Sequence, residues 1–299
     1  MKARLAVAPI AWSNDDLPEL GGDTSLETCL TEARAAGFTG VEQGGKFPTT
    51  APEMKAALEP HGLALASGWY SGTLLHNEVG AEIEQITPQL EMYRDCGAPV
   101  IFYGETAGSV QGKRGTPIED RPRLSEEDFV PYGRRMTALA EHCAEVGVPL
   151  AFHHHMATAV ETEQETDLLM RHSGEALKLL LDPGHMVFAG GDPLRVARNH
   201  ASRIVHVHAK DVRADVLART DATKVSFIDA ILDGIFTVPG DGLIDYGAIA
   251  RTLADIGYEG WVVVEAEQDP AKANPFEYSK LGFETMKAAL EQAGYEITA

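Results

Sequence analysis

Four residues of the types that bind metal ions each stand at the carboxyl end of a short apolar run. They are His153 in LAFHHH, Asp182 in LKLLLDPGH, His208 in IVHVHAKD and Glu265 in WVVVEAE. Such runs predict buried parallel strands, and the carboxyl ends of parallel strands meet at one rim. Imidazole and carboxylate ligands without a thiolate suit Mn²⁺, Co²⁺, Fe²⁺ or Zn²⁺. Each residue alone is more often a core residue, but four agreeing strand ends predict a divalent metal centre.

The alternation of side chains along a strand separates residues that face the barrel interior from residues that face the surrounding helices. In LAFHHH, Leu150 and Phe152 are predicted to face the helices, so His153 and His155 point inward and His154 points away. This pattern leaves open whether His153 or His155 is the metal ligand. The same alternation predicts three further inward pairs, which are His206 with His208, Glu265 with Glu267, and Tyr103 with Glu105.

Other residues near the predicted strand ends are candidates for contacting a substrate. Glu42 and Lys46, in GVEQGGKFP, could bind hydroxyl groups or only solvate a turn. Trp69, in GWYSG, could cover the face of a ring or pack in the core. Lys210 could bind hydroxyl groups or form an exposed ion pair, and His185 could be a ligand, a substrate contact or the start of a helix. The predicted substrate-binding residues are Glu42, Trp69, Tyr103, Glu105 and Lys210.

Strand-like and helix-like segments alternate along the whole chain. Eight strands are predicted, at 4–10, 39–43, 63–68, 99–104, 148–155, 177–182, 203–208 and 261–266. Eight strand–helix units predict an α/β fold that closes into a (β/α)8 TIM barrel. No linker-like stretch divides the chain, so residues 1–299 are predicted to form a single domain.

Two connections are longer than is usual between barrel elements. One covers 105–124 and the other covers 211–245, where SFIDAILDG predicts a short helix. Both follow a predicted strand, so both are expected on the rim that carries the active site. They are candidates for a lid or for contacts in a homo-oligomer, and the sequence does not choose between these.

The composition narrows the classes of partner. Lys and Arg number 25 against 45 Asp and Glu, which gives a formal charge of -20. Such a surface repels phosphate backbones, so no nucleic-acid partner is expected. The three cysteines form no CxxC pair, as is typical of a reducing compartment. No apolar stretch approaches the ~18 residues of a membrane span, so a soluble cytoplasmic protein without a membrane partner is expected.

Motifs for several other kinds of chemistry are missing from the sequence. There is no G-x-G-x-x-G or P-loop motif, so nucleotide binding has no support. The predicted loops after the last two strands lack a glycine-rich phosphate cradle. An uncharged polyol or sugar is therefore favoured as substrate over a sugar phosphate.

The motifs LDPGH, HVHAKD and VPGDGLIDYGAIARTLADIGYEGWVVVEAE resemble those of the xylose-isomerase-like barrel superfamily. Within it, the segments IAWSNDDLPELGGDTSLETCL, GVEQGGKFP, SGWYSGTLL, YGE, FHHHM and VVEAEQDP are similar to the inosose dehydratase family of inositol catabolism. The similarity extends over essentially the whole chain. The resemblance implies removal of water from a keto-inositol (an inosose) to give a trihydroxycyclohexane-dione. It also implies Mn²⁺ or Co²⁺ as cofactor and a requirement for glutathione.

The resemblance implies metal ligands as well. The ligand positions of the superfamily fall on Asp182, His208 and Glu265, and the fourth, usually a glutamate on the fifth strand, falls on His153. Sugar epimerases of the superfamily use two metal-bound glutamates to pass a proton across both faces of a carbon. With Glu265 as the one such glutamate, an elimination on one face is favoured over that shuttle.

Dehydration needs a base for the proton beside the ketone and an acid for the departing hydroxyl group. The candidates for this pair are His155, His185, Glu267 and Lys46, and the sequence does not assign their roles. The alternatives are a metal-dependent sugar or inosose isomerase or epimerase, and a barrel that binds a polyol without changing it.

Overall fold

Eight parallel strands close into a barrel in the computed structural model, which describes residues 1–298. The strands are β1 (Lys2–Val7), β2 (Gly40–Gln43), β3 (Ala64–Gly72), β4 (Ile101–Glu105), β5 (Leu150–His153), β6 (Lys178–Leu181), β7 (Ile204–Ala209) and β8 (Gly260–Val264). Each strand pairs with the next, and β8 pairs with β1 to close the ring, with Ala3 opposite Gly260. A short strand, β9 (Glu296–Ile297), also pairs with the start of β1. The predicted (β/α)8 fold class is confirmed.

Helices alternate with the strands and cover the barrel. They are α1 (Leu26–Ala36), α2 (Ala51–Leu58), α3 (Val79–Cys96), α4 (Glu126–Val146), α5 (Glu163–His172), α6 (Pro183–Phe188), α7 (Pro193–Asn199), α8 (Ala214–Arg219), α9 (Phe227–Leu232), α10 (Tyr246–Asp255) and α11 (Pro275–Gln292). Local signals set their ends: Ser125 and Asp128 form a capping box before α4, and Gly147 ends it with a φ of 99°. None of the helices in residues 1–298 combines the length and the apolar character needed to cross a membrane.

The two faces of the strands pack into different cores. Leu150, Phe152 and Val262 belong to the large cluster between the strands and the helices, as their alternation predicted. Inside the barrel, a smaller apolar cluster includes Trp261, at the start of β8, and Val263. Because apolar side chains fill the barrel near the amino ends of the strands, the polar side chains meet at the carboxyl ends.

The longer of the two extended connections, 211–245, has secondary structure of its own. It contains α8, α9 and a pair of antiparallel two-residue strands, Asp211–Val212 and Phe236–Thr237. The short helix predicted in SFIDAILDG is α9, so that prediction is confirmed.

The two extended connections pack against each other. The N–H of Ile118, in the 105–124 connection, donates to the carbonyl of Val225 at 3.0 Å. A separate hydrophobic cluster, outside the barrel cores, joins Val110 from that connection to Phe227 and Phe236 from the other. The connections thus form an ordered structure with its own small core, which contacts the turn after β5 through Val110 and Ala157.

Candidate active site

Four strand ends bring the predicted metal ligands together, and we call His153, Asp182, His208 and Glu265 the quartet. His153 ends β5, Asp182 follows β6, His208 lies in β7 and Glu265 follows β8. One ligand atom of each lies within 4.8 Å of the other three, and all four residues are buried. His208 Nδ1 is 2.5 Å from Glu265 Oε2 and 3.5 Å from Asp182 Oδ2, and Asp182 Oδ2 is 3.7 Å from His153 Nε2. The quartet has the size of a single cation site.

Three atoms of the quartet lack a hydrogen-bond partner. Among residues 1–298, no group with suitable geometry donates to Asp182 Oδ2 or Glu265 Oε2, and none accepts from His208 Nδ1. A buried polar atom without a partner costs free energy, and native proteins rarely leave one so. Three such atoms from distant parts of the chain face each other here. The residues therefore fit a divalent cation, which would satisfy all three at once.

Hydrogen bonds behind the quartet orient its two imidazoles. The Nδ1 atom of His153 lies 2.7 Å from the carbonyl oxygen of His154, to which it donates. The Nε2 atom of His208 lies 3.2 Å from Glu42 Oε1 and donates to it. Each ring thus keeps its other nitrogen, Nε2 of His153 and Nδ1 of His208, free to bind a cation. Such outer partners are typical of ligating histidines.

The quartet lies in a negative electrostatic field. Burial alone would raise the pKa of Asp182, but the charges of Lys210 and His208 lower it to about 2. Burial alone would lower the pKa of His208, but the charges of Glu265 and Glu42 raise it well above its usual value. Burial and the charge of His208 lower the pKa of His153 well below its usual range. The field that favours a proton on His208 also favours a divalent cation beside it.

A second group of potential ligands, which we call the His155 group, comprises His155, His185 and Glu267. Its ligand atoms also lie within 4.8 Å of one another. His155 Nε2 is 3.7 Å from Glu267 Oε1, and its ring lies 3.9 Å from the ring of His185 between centroids. Of the two histidines left open as ligand by the sequence, His153 lies in the quartet and His155 lies in this neighbouring group.

His185 lies behind His155 and is fully buried. Its backbone N–H donates to Asp182 Oδ1 at 2.9 Å, because Asp182 caps α6. Burial lowers the pKa of His185 well below its usual value. Of the three alternatives considered for His185, a position in the first turn of a helix is the one observed, while an acid or base role would act through His155.

A cavity of about 280 Å³ opens at this rim of the barrel. His153, His155, His208, Glu265 and Glu267 contribute to its lining. Its volume lies near the lower end of the roughly 300–1,000 Å³ that is typical of ligand pockets, so it suits a small molecule.

Trp69 forms an apolar wall of the cavity. Its ring contacts those of His153 and His155 edge-on, with centroid distances of 5.8 and 5.5 Å. This is one of the two positions that the sequence left open for Trp69. Contact of this wall with a substrate ring remains a prediction.

The predicted inward orientation of Tyr103 and Glu105 is wrong. Glu105 Oε2 accepts from the hydroxyl groups of Tyr103 and of Tyr132 in α4, each at 3.0 Å, so both residues face the helices. Burial raises the pKa of Glu105. Phe102 takes the inward position and lines the cavity, and Gly104 leaves room for the ring of Trp69. Tyr103 and Glu105 therefore lie too far outside the barrel to bind a substrate there.

The proposed acid or base role of Lys46 also needs correction. Its side chain is exposed, and Nζ donates to the carbonyl oxygens of Gly21, Gly22 and Thr24 at 3.1, 2.8 and 2.5 Å. Lys46 thus holds the loop before α1 and lies outside the cavity of the quartet.

Lys210 differs from both alternatives considered for it, since it is neither exposed nor open to the cavity. Its side chain is completely buried, and Nζ is 2.8 Å from His185 Nε2 and 2.9 Å from Glu267 Oε2. Burial alone would lower the pKa of Lys210, but the charges of Glu265 and Glu267 raise it. Its ammonium group therefore lies between the quartet and the His155 group.

Glu42 lines the cavity but has partners other than a substrate. Its Oε1 accepts from Ser67 at 2.5 Å, His206 at 2.7 Å and His208 at 3.2 Å. Burial alone would raise the pKa of Glu42, but the charge of His208 and the hydrogen bonds from both histidines lower it overall. The geometry favours a role in orienting His208 over binding substrate hydroxyl groups.

Two residues that line the cavity had no sequence signal. Asp16 follows β1 in an irregular loop, and burial raises the pKa of its carboxyl group. Gln111 lies in the 105–124 connection, and its buried Oε1 atom has no partner in the described part of the chain. Both come from loops without periodicity, so only the folded chain reveals that they face the quartet.

Comparison with known proteins places these residues in a wider context. Residues 30–289 match the family model described as a xylose isomerase-like TIM barrel. The chain is 51% identical to the rhizopine catabolism protein MocC of Rhizobium meliloti, over all of this chain and 92% of that protein. It is 43% identical to an inosose dehydratase of Geobacillus thermodenitrificans, over 93% of this chain and 94% of that protein.

A solved structure supports the same fold at lower identity. The IolI protein with a bound zinc atom superposes with a TM-score of 0.67 at 16% identity, covering 97% of this chain and 99% of that one. At this identity the likeness concerns the barrel and not its chemistry.

Proposed function

The chain belongs to the xylose isomerase-like TIM-barrel family, in the group that contains inosose dehydratases, and from that premise we propose that it is a hydro-lyase acting on an inosose. It removes one water molecule from this keto-inositol to give a trihydroxycyclohexane-dione. The observation that carries the proposal is that the unpartnered atoms of the quartet lie beside the His155 group at a single cavity. A cation site and acid–base groups thus serve the same small molecule.

The quartet would hold a divalent metal ion, and we propose Mn²⁺ or Co²⁺ as that ion. Two imidazoles and two carboxylates are a ligand set that these ions accept. When bound, the ion polarises the ketone of the substrate and makes the neighbouring carbon more acidic. Glutathione is implied by the resemblance alone, so the assay is run both with and without it.

His155 is the proposed base. Its Nδ1 atom donates to the carbonyl oxygen of Met156 at 2.8 Å, which leaves Nε2 free on the side of the cavity. Glu267 Oε1, 3.7 Å from that Nε2, would stabilise the imidazolium that forms when His155 takes the proton beside the ketone.

Asp16 is the proposed acid. It lines the same cavity, and burial raises the pKa of its carboxyl group, which favours the protonated form. The electron pair of the broken C–H bond forms the carbon–carbon double bond of an enol. The hydroxyl group on the next carbon leaves as water with the proton of Asp16, and the enol then tautomerises to the dione. Solvent returns the proton to Asp16 and removes the one on His155.

The direct test is mass spectrometry of the product formed from an inosose. The metal-free protein is compared with the protein loaded with Mn²⁺ or Co²⁺, each with and without glutathione. Loss of one water by the loaded protein supports the proposal. A product of unchanged mass would instead indicate the isomerase or epimerase alternative, and no consumption under any condition would reject both.

A second candidate is a step of rhizopine catabolism. The 51% identity to MocC over the whole chain favours it. The same assay with rhizopine and with compounds formed from it, compared by kcat/KM with the inosose, distinguishes the two substrates.

A further inference from the structure

A buried ammonium group lies beside the quartet among further potential metal ligands. Lys210 directly follows β7, and its Nζ atom is 2.8 Å from His185 Nε2, 2.9 Å from Glu267 Oε2 and 3.2 Å from Glu265 Oε1. These are imidazole nitrogen and carboxylate oxygen atoms, the same types that the quartet presents. His185 and Glu267 also belong to a group that could hold a metal ion by itself. The surroundings of Lys210 Nζ therefore have the composition of a second cation site.

Glu265 connects the two positions. Its Oε2 faces His208 Nδ1 at 2.5 Å within the quartet, and its Oε1 faces Lys210 Nζ at 3.2 Å. A carboxylate with one oxygen on each of two neighbouring cations is the arrangement expected of a bridging ligand in a two-metal centre. In this chain, an ammonium group takes one of the two positions.

The position of Lys210 is held from several sides. The hydroxyl group of Tyr246 donates to its carbonyl oxygen at 2.6 Å. The ring of Phe236 covers Nζ at 4.8 Å from the ring centroid, a favourable contact for a cation. A Cβ atom at Gly184 would lie 2.6 Å from Lys210 Cγ, so glycine leaves the space for this side chain. The ammonium group is therefore fixed and does not swing in from solvent.

The local charges agree with one divalent ion and one ammonium group. Asp182, Glu265 and Glu267 are three buried carboxylates around Lys210 Nζ. One divalent ion together with the ammonium group balances their charge. Without the ammonium group, a single divalent ion would leave an excess negative charge at the place where Lys210 Nζ lies.

On the basis of the metal centre in the proposed function, we propose that Lys210 occupies a second cation position formed by His185, Glu265 and Glu267. It thereby limits the centre to one exchangeable divalent ion. Because the ammonium group is tethered, it holds Glu265 and Glu267 in place while the ion in the quartet exchanges. Lys210 is thus a positioning residue.

The test is the number of ions bound by wild-type protein and by Lys210→Ala, loaded with Mn²⁺, dialysed and analysed for metal. Wild type is expected to hold one ion per chain and Lys210→Ala to hold two. Adding Glu267→Gln to Lys210→Ala should return the content to one. In the two-ion protein, the shared Glu265 should also couple the two ions magnetically, which broadens the electron paramagnetic resonance spectrum.

Two controls are needed. One distinguishes the charge of the Lys210 side chain from its volume, and the other measures the effect of losing a lysine elsewhere on the protein. Lys210→Met removes the charge but keeps most of the volume, so it should still hold one ion. Lys224→Ala removes an exposed lysine that pairs with Asp221 and should also hold one. If Lys210→Ala does not fold, as judged by circular dichroism, Lys210→Ser gives the same comparison.

Each remaining outcome counts against the inference. Two ions in wild type, or one ion in both wild type and Lys210→Ala at saturating Mn²⁺, would overturn it and leave the dehydratase proposal intact. No ion in wild type at saturating Mn²⁺ would overturn both the second position and the metal-dependent function.

Discussion

At the scale of single residues, Glu42 determines which nitrogen of His208 can bind a cation. Glu42 Oε1 lies 3.2 Å from His208 Nε2 and 2.7 Å from His206 Nε2. Because Nε2 of His208 donates to this carboxylate, Nδ1 is the nitrogen that faces the quartet. A metal ion bound there would take the place of the proton on Nδ1. A carboxylate behind a ligating histidine fixes the ring and makes it a stronger ligand.

Glu42→Gln should weaken metal binding by about 10- to 100-fold, the usual effect of losing such an outer partner. The amide is nearly the same size but carries no charge, so the fold should survive. The affinity is measured by competition with a chelator.

Glu105→Gln is the matched control for that variant. It changes a glutamate that is equally buried but faces α4 on the outside of the barrel. We expect its metal affinity to stay at the wild-type value. An equal loss of affinity in both variants would contradict the role given to Glu42.

At the scale of elements, the junction between β6 and α6 serves several functions with few residues. Asp182 caps α6 and presents its second oxygen to the quartet, while Gly184 lies against Lys210. Pro183, at the first position of the helix, needs no hydrogen bond to its nitrogen. The motif LDPGH therefore serves both the helix start and the metal centre.

Gly184→Ala should both destabilise the protein and weaken metal binding. The new methyl group would lie 2.7 Å from the backbone oxygen of Lys210, so the β6–α6 junction must shift, at a cost of about 1–3 kcal/mol. Chemical denaturation and metal affinity check the two effects.

Gly80→Ala is the corresponding control in α3. A Cβ atom there meets nothing within 4 Å in the described residues, so this variant should keep its metal affinity and its stability or gain some. Loss of stability in Gly80→Ala as large as in Gly184→Ala would show that steric contact with Lys210 is not the cause.

The short antiparallel pair in the 211–245 connection carries a buried carboxyl group with a shifted pKa. Asp211 Oδ1 accepts from the N–H groups of Val212 and Ile244 at 2.8 and 2.9 Å, and burial raises the pKa of Asp211 to about 6. Between its usual value of 3.8 and about 6, the folded state holds a proton that the unfolded state has lost. The contribution of Asp211 to stability is therefore fully present below pH 3.8 and falls as the pH rises through about 6.

Asp211→Asn should remove this decline, because asparagine keeps the accepting oxygen and does not ionise. The free energy of unfolding of the variant minus that of wild type should therefore be more positive at pH 8 than at pH 5. Denaturation at both pH values measures the difference, with the exposed Asp255→Asn as control. An identical pH dependence in wild type and Asp211→Asn would contradict the prediction.

At the scale of the whole molecule, the quartet connects the four strands that make up one half of the barrel. Its ligands lie in β5 and β7 and directly after β6 and β8, which are four consecutive strands of the closed sheet. An ion that binds the folded quartet but not the unfolded chain stabilises the folded state by mass action. Metal binding and closure of the barrel are therefore linked.

Chelation should lower the free energy of unfolding, by about 2.7 kcal/mol relative to a free metal concentration one hundred times the Kd. His208→Ala should fold, lose turnover and gain no stability from added Mn²⁺. Thermal denaturation with and without the ion measures this. Equal stabilisation of wild type and His208→Ala by the ion would place the binding site elsewhere.

The sequence alone predicted the barrel and the strand ends that carry the quartet, while the tertiary structure placed His153 in it, moved His155 to the neighbouring group and decided what surrounds both. Apolar runs that end in His153, Asp182, His208 and Glu265 are local patterns, and a closed parallel sheet has a single rim where such ends can meet.

Contacts with residues distant in the chain decided three features of the site. These are the orientation of Tyr103, the carbonyl partners of Lys46 and the carboxylates around Lys210. Tyr103 faces outward because Phe102 fills the barrel, and alternation cannot tell which of two adjacent aromatic residues takes the inner position. Lys210 is buried because Glu267, 57 residues later, returns to the same rim to balance its charge. Side-chain environments of this kind arise only when the chain has closed, since the energy of a buried charge is set by neighbours that no local pattern encodes.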